Sequence, residues 1–113
     1  MSPLTSHVLD TSLGRPAAKL AVQLAVLDTA GVWETLADRV TNDEGRVVDL
    51  LAEGGLEART YRLTFDTQAY FSASGRPVFY PYVDVVFTIT APTEHYHIPL
   101  LLSPFGYSTY RGT

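Results

Sequence analysis

With 113 residues, the chain is long enough to bury one core and too short for two independent ones. At 46% hydrophobic and 18% charged residues it is too apolar for a disordered chain, and a net charge of −4, with Lys19 the one lysine among seven scattered arginines, offers no basic stripe to a nucleic acid. The absence of cysteine removes disulfides, thiolate metal sites and a cysteine nucleophile, and no apolar run reaches the roughly 20 residues that cross a bilayer. The start Met1-Ser2-Pro3-Leu4-Thr5 carries no basic and apolar leader pattern, so the expectation is a cytoplasmic protein with one domain over residues 1–113 and no membrane partner.

Period-2 alternation, broken by glycine, proline and Asn-Asp turns, predicts an all-β antiparallel domain. His7 to Asp10 reads as a first strand, followed by a loop through Gly14 and Pro16. Leu20, Val22, Leu24 and Val26 then alternate with smaller or polar residues and should point inward. Val32 to Val40 reads as a strand on its β-branched and aromatic content, and Thr41-Asn42-Asp43-Glu44-Gly45 turns the chain into a short strand from Arg46 to Leu50. Ala58 to Phe65 puts Tyr61, Leu63 and Phe65 on one face, while Asp66 to Ser74 loses the alternation, offers Asp66 or Thr67 as a cap and reads as one short helix before Gly75. Val83, Val85, Phe87 and Ile89 mark the next strand, then the one starting at His95, and a final strand follows Gly106. About eight strands and one helix pack at this length as a two-sheet sandwich.

The strand His95-Tyr96-His97-Ile98-Pro99 carries ionisable groups in apolar sequence. Alternation puts His95, His97, Pro99 and Leu101 on one face and Tyr96, Ile98, Leu100 and Leu102 on the other, which should be the core. The first face, with Leu9 beside it, leaves apolar area to be covered by a second copy of the chain. The residues alone leave several chemistries open. His7, His95 and His97 could form a three-imidazole zinc site, although no paired carboxylate stands by as a second ligand shell. A metal-free site could instead use one histidine as general base, Arg46 as fixed positive charge and Tyr110 as a hydroxyl donor, which would suit a small, planar, anionic substrate. Ser103, Ser108 and Thr109 keep a hydroxyl nucleophile open, and the histidines could equally do no more than hydrogen-bond within the sheet.

Four segments in order, Ser6-His7-Val8-Leu9-Asp10 with Gly14-Arg15-Pro16-Ala17, Thr41-Asn42-Asp43-Glu44-Gly45-Arg46, His95 through Pro104, and Tyr107-Ser108-Thr109-Tyr110-Arg111-Gly112-Thr113, resemble the transthyretin-like 5-hydroxyisourate hydrolases over essentially the whole chain. The resemblance implies an eight-stranded transthyretin-like sandwich with one helix, assembled as a homotetramer around a channel. It also implies hydrolysis of 5-hydroxyisourate to 2-oxo-4-hydroxy-4-carboxy-5-ureidoimidazoline in urate breakdown, with no metal or other cofactor. By motif, His7, Arg46 and His97 correspond to the catalytic set, with Tyr110 and Ser108 at the substrate; His95 falls outside that set. Hormone-carrier relatives keep the scaffold without the His, Arg, His and Tyr set, so a carrier without turnover becomes the alternative reading, beside a zinc-dependent hydrolase. Thr113 stands where the family tail ends in serine, and Glu44-Gly45 where Asp-Gly is common; neither change removes a proposed catalytic group.

Overall fold

The computed structural model describes residues 2–113. Its strands are β1 (Leu4–Asp10), β2 (Arg15–Pro16), β3 (Ala21–Leu27), β4 (Trp33–Val40), β5 (Arg46–Val47), β6 (Thr60–Phe65), β7 (Val83–Thr88), β8 (Tyr96–Ser103) and β9 (Gly106–Thr109), with helix α1 (Thr67–Ala73) between β6 and β7. One sheet runs β2-β1-β8-β9 with β5 also paired to β1, and the other runs β4-β3-β6-β7. The two-sheet sandwich and the single helix agree with the sequence reading, but nine strands form among the described residues rather than about eight, the strand expected from Arg46 to Leu50 ends at Val47, and Ile89 lies just past β7; three further differences position the site.

The first strand begins at Leu4 rather than His7, because pairing with β8 extends over its whole length, from Leu4 opposite Tyr96 to Asp10 opposite Leu102. That pairing is parallel, whereas alternation had suggested antiparallel strands throughout; hydropathy shows which face is buried and carries no information on direction. The expected loop at Gly14 and Pro16 contains the two-residue strand β2, whose proline sits at a sheet edge where its missing N–H costs no ladder bond.

The core lies between the sheets. Leu20, Val22, Leu24 and Val26 point into it, as do Tyr61, Leu63 and Phe65 and the expected face Tyr96, Ile98, Leu100 and Leu102. Leu24, Leu63 and Leu100 are fully buried, and each contributes about 2 kcal/mol by leaving water. Ala25 is also buried, on the outward face of β3 opposite Arg62 of β6, next to a register shift of β3 against β4. Helix α1 is capped by Asp66, whose carboxylate accepts from the Ala69 N–H at 3.2 Å, and its Phe71 is fully buried.

Candidate active site

Strand register gathers the ionisable residues. His7 is opposite Arg46 on β5 and opposite Pro99 on β8, while Thr5 is opposite His97 and Leu9 opposite Leu101. On the far side of β8, Leu101 faces Ser108, and a bridge from His97 to Gly112 carries the same antiparallel register into the tail, which sets Tyr110 opposite Pro99. Directly paired residues share a face, and neighbouring strands lie about 4.8 Å apart. Arg46, His7, Pro99 and Tyr110 therefore form one row across the sheet surface turned away from the core, with Thr5, His97 and Gly112 in the next row and Leu9, Leu101 and Ser108 on the other side.

Each group has an identifiable local support. Asn42 closes the turn before β5: its side-chain oxygen accepts from the Glu44 and Arg46 N–H groups, both at 2.9 Å. Gly45 has φ +74°, and a Cβ there would run into the Val8 carbonyl oxygen, so only glycine lets this turn come close enough to β1 to set Arg46 beside His7. Among the described residues the exposed Arg46 guanidinium makes no ion pair or hydrogen bond, which leaves its donors free for an anion. The turn also orients His7, whose Nε2–H donates to the Glu44 carbonyl at 2.8 Å. A carbonyl can only accept, so the proton of neutral His7 resides on Nε2 and the lone pair on Nδ1.

His97 is half-buried, with Nδ1 at 2.8 Å from the Thr5 hydroxyl and its backbone carbonyl accepting the Gly112 N–H at 2.8 Å. Burial pushes its pKa below the usual histidine value, and the charges of Arg46, His7 and His95 push the same way against a hydrogen bond to the Thr5 backbone. The ring is consequently held neutral near pH 7. The tail is pinned through three of its residues: Arg111 pairs with Glu94 at 2.7 Å and lies 4.3 Å from the Tyr96 ring, Thr109 donates to the Pro99 carbonyl at 2.7 Å, and Gly112 packs on the His97 imidazole. Tyr110 and Ser108 are exposed on this face.

The face thus carries two imidazoles, of which His97 is held neutral, a guanidinium unpaired among the described residues, and two hydroxyls, a set suited to base catalysis on a small anion. Among the described residues no group of three or more His, Cys, Asp or Glu is arranged to hold a metal ion. Two surface grooves of about 630 and 580 Å³ lie elsewhere, the first bounded in part by Arg39, Gln68 and Tyr82 and the second by Arg15, Tyr70 and Arg76. Thr5 and Gly112 had drawn no attention in the sequence. Thr5 lay outside the expected first strand, although its position two residues before His7 puts it on the same face once the strand begins at Leu4. Nothing in the sequence pairs Gly112 with His97 except the register itself.

Residues 4–112 match the sequence model of the HIUase/Transthyretin family. The chain belongs to this family. Among HIUase/Transthyretin members it is 49% identical to a 5-hydroxyisourate hydrolase of Mus musculus, covering 99% of this chain and 96% of that one. It superposes on the 5-hydroxyisourate hydrolase of Klebsiella pneumoniae with a TM-score of 0.85 at 39% identity, covering 97% and 92% of the two chains. It also superposes on sea bream transthyretin, solved with thyroxine, with a TM-score of 0.93 at 35% identity, covering 99% and 96%. Shared architecture within this family therefore does not separate hydrolase from carrier, and the residues on the sheet face must.

Proposed function

We propose that this chain hydrolyses 5-hydroxyisourate to 2-oxo-4-hydroxy-4-carboxy-5-ureidoimidazoline, using His7, Arg46 and His97 as reacting groups and Tyr110 and Ser108 to hold the substrate. The observation that carries this reading is the meeting of two imidazoles, His7 and the neutral His97, with the Arg46 guanidinium on one sheet face. The names of the mouse and Klebsiella relatives supply the substrate.

In this mechanism His97 takes a proton from water at Nε2, the ring nitrogen not engaged by Thr5, as the water oxygen bonds to the lactam carbonyl carbon. Arg46 stabilises the negative charge that develops on the carbonyl oxygen. Collapse of the tetrahedral adduct breaks the C–N bond, the ring nitrogen receives the proton held by the imidazole, and the carboxylic acid formed releases the second proton of the water to solvent, leaving a carboxylate. His7 orients the substrate through the Nδ1 lone pair that its bond to Glu44 leaves free. The site face carries the half-buried Leu9 and Leu101, which supports assembly as a homotetramer in which another copy encloses the substrate and excludes water.

The test is direct: added to a urate oxidase reaction containing a chelator, the purified protein should accelerate decay of the 5-hydroxyisourate absorbance. Unchanged decay overturns the hydrolase reading, and loss of activity on chelation would favour a zinc enzyme. A carrier, the alternative that shares this architecture, would instead show ligand binding without turnover.

A further inference from the structure

Thr5 touches no substrate in the mechanism above, yet its hydroxyl stands between two imidazoles, 2.8 Å from His97 Nδ1 and 3.2 Å from His95 Nε2. The arrangement follows from the backbone. Parallel register sets Thr5 beside His97, and His95, two residues earlier, falls on the same side. Thr5 is buried, while His95 is exposed just before β8.

A hydroxyl has one proton and two acceptor positions. It can donate to one of these ring nitrogens and must accept from the other, since the described residues offer its proton no third partner. The tautomers of His95 and His97 are thereby coupled in opposite senses. When the Thr5 hydroxyl donates to His95, His97 carries its proton on Nδ1 and presents a lone pair at Nε2; when the hydroxyl turns to His97, the lone pair at Nε2 is replaced by a proton.

We propose that Thr5 and His95 form a proton relay behind His97, which holds the proton taken from the attacking water until the departing ring nitrogen needs it. The proposal rests on the hydrolase reading. As His97 Nε2 takes a proton from water, its Nδ1 proton moves to the Thr5 oxygen and the Thr5 proton moves to His95 Nε2. One proton has left the water and one positive charge has appeared on exposed His95, while His97 ends neutral. The reverse sequence returns a proton to His97 Nδ1 as Nε2 protonates the departing nitrogen, so no proton is gained or lost by the protein. The relay has a physical reason to exist. A cationic His97 would sit half-buried with Arg46 approaching from β5 and His7 from β1, beside only the backbone of Gly112 and the neutral phenol of Tyr110 from the tail, so charge is better placed on the ring nearest water.

The wild-type protein is assayed first, so that absence of turnover counts against the hydrolase reading and not against the relay. Thr5→Val keeps the branched shape without the hydroxyl, and His95→Gln keeps a hydrogen-bonding side chain that cannot take a proton. Each should lower the single-turnover rate about tenfold or more with KM within about twofold, the low end of what general acid–base steps contribute. Thr5→Ser should restore nearly the full rate. In mixtures of light and heavy water the wild type should show a curved dependence of rate on deuterium fraction, from several protons moving together, and both deficient variants a linear one. A wild-type rate in His95→Gln, or the same curvature in all proteins, overturns the relay; so does a slow Thr5→Ser, which would reduce Thr5 to a packing residue.

Discussion

The smallest residue at the site carries one of its tightest constraints. A Cβ at Gly112 would stand 2.8 Å from His97 Cδ2, 3.2 Å from the His97 carbonyl oxygen and 3.3 Å from His97 Cβ. The neighbours that would have to yield are the imidazole and its own backbone, so Gly112→Ala should displace the ring or detach the tail. The expected outcome is at least a tenfold loss of turnover, roughly 1.4 kcal/mol in the barrier, with a melting temperature within a few degrees of wild type because the tail adds little to the core. Unchanged turnover would show that the ring tolerates the methyl group. Residues of this kind are poorly legible in a sequence. His7, His97 and Arg46 stand out because ionisable groups are rare in apolar strands, whereas Gly112 and Thr5 acquire meaning only when strand register supplies their neighbours.

At the scale of elements, α1 is fastened to the first sheet by one buried carboxylate. Asp10, at the end of β1, has no exposed side-chain surface and accepts from Arg76 at 2.8 Å, Tyr70 at 2.7 Å and Ser12 at 2.6 Å, while the Arg76 guanidinium lies 4.9 Å from the centre of the Phe71 ring. Burial alone would raise the carboxyl pKa, but these hydrogen bonds and the charge of Arg76 reverse that and hold it at about 2 against an ordinary 3.8. Because the folded value is the lower one, the contribution of about 2 kcal/mol is complete above pH 3.8 and is lost as pH falls towards 2. Arg76→Met, which leaves the buried carboxylate without its cation, should cost about 3 kcal/mol at pH 7 in urea unfolding and less near pH 2, where Asp10 is protonated in the unfolded chain and about half protonated in the fold. An equal cost at both pH values would show that Arg76 acts through packing alone. Alternation was a sound guide to these elements wherever one strand face is wet, as in β6, and it marked α1 by its failure. It was silent on the direction of β8 against β1, since two strands bury the same residues whichever way they run.

For the whole molecule, the consequence of placing the site on an outward sheet face is that activity and assembly should be one property. Sedimentation should give a four-chain mass, and dilution far enough to dissociate the assembly should lower specific activity in step with it; a fully active monomer would separate the two. The architecture and the shared outward face of His7 and His97 were readable from alternation and motif, whereas the number of copies needed to cover that face is not written in the pattern of one strand. The parallel pairing of β1 with β8 has a further effect in time. Thr5 and His97 are separated by 92 positions in the chain yet bonded in the fold, so the edge of β1 that receives β8 stays open after β2 and β5 have paired with its other edge. Until β8 is synthesised that edge is exposed to aggregation, and a nascent chain that ends before it lacks His97 altogether.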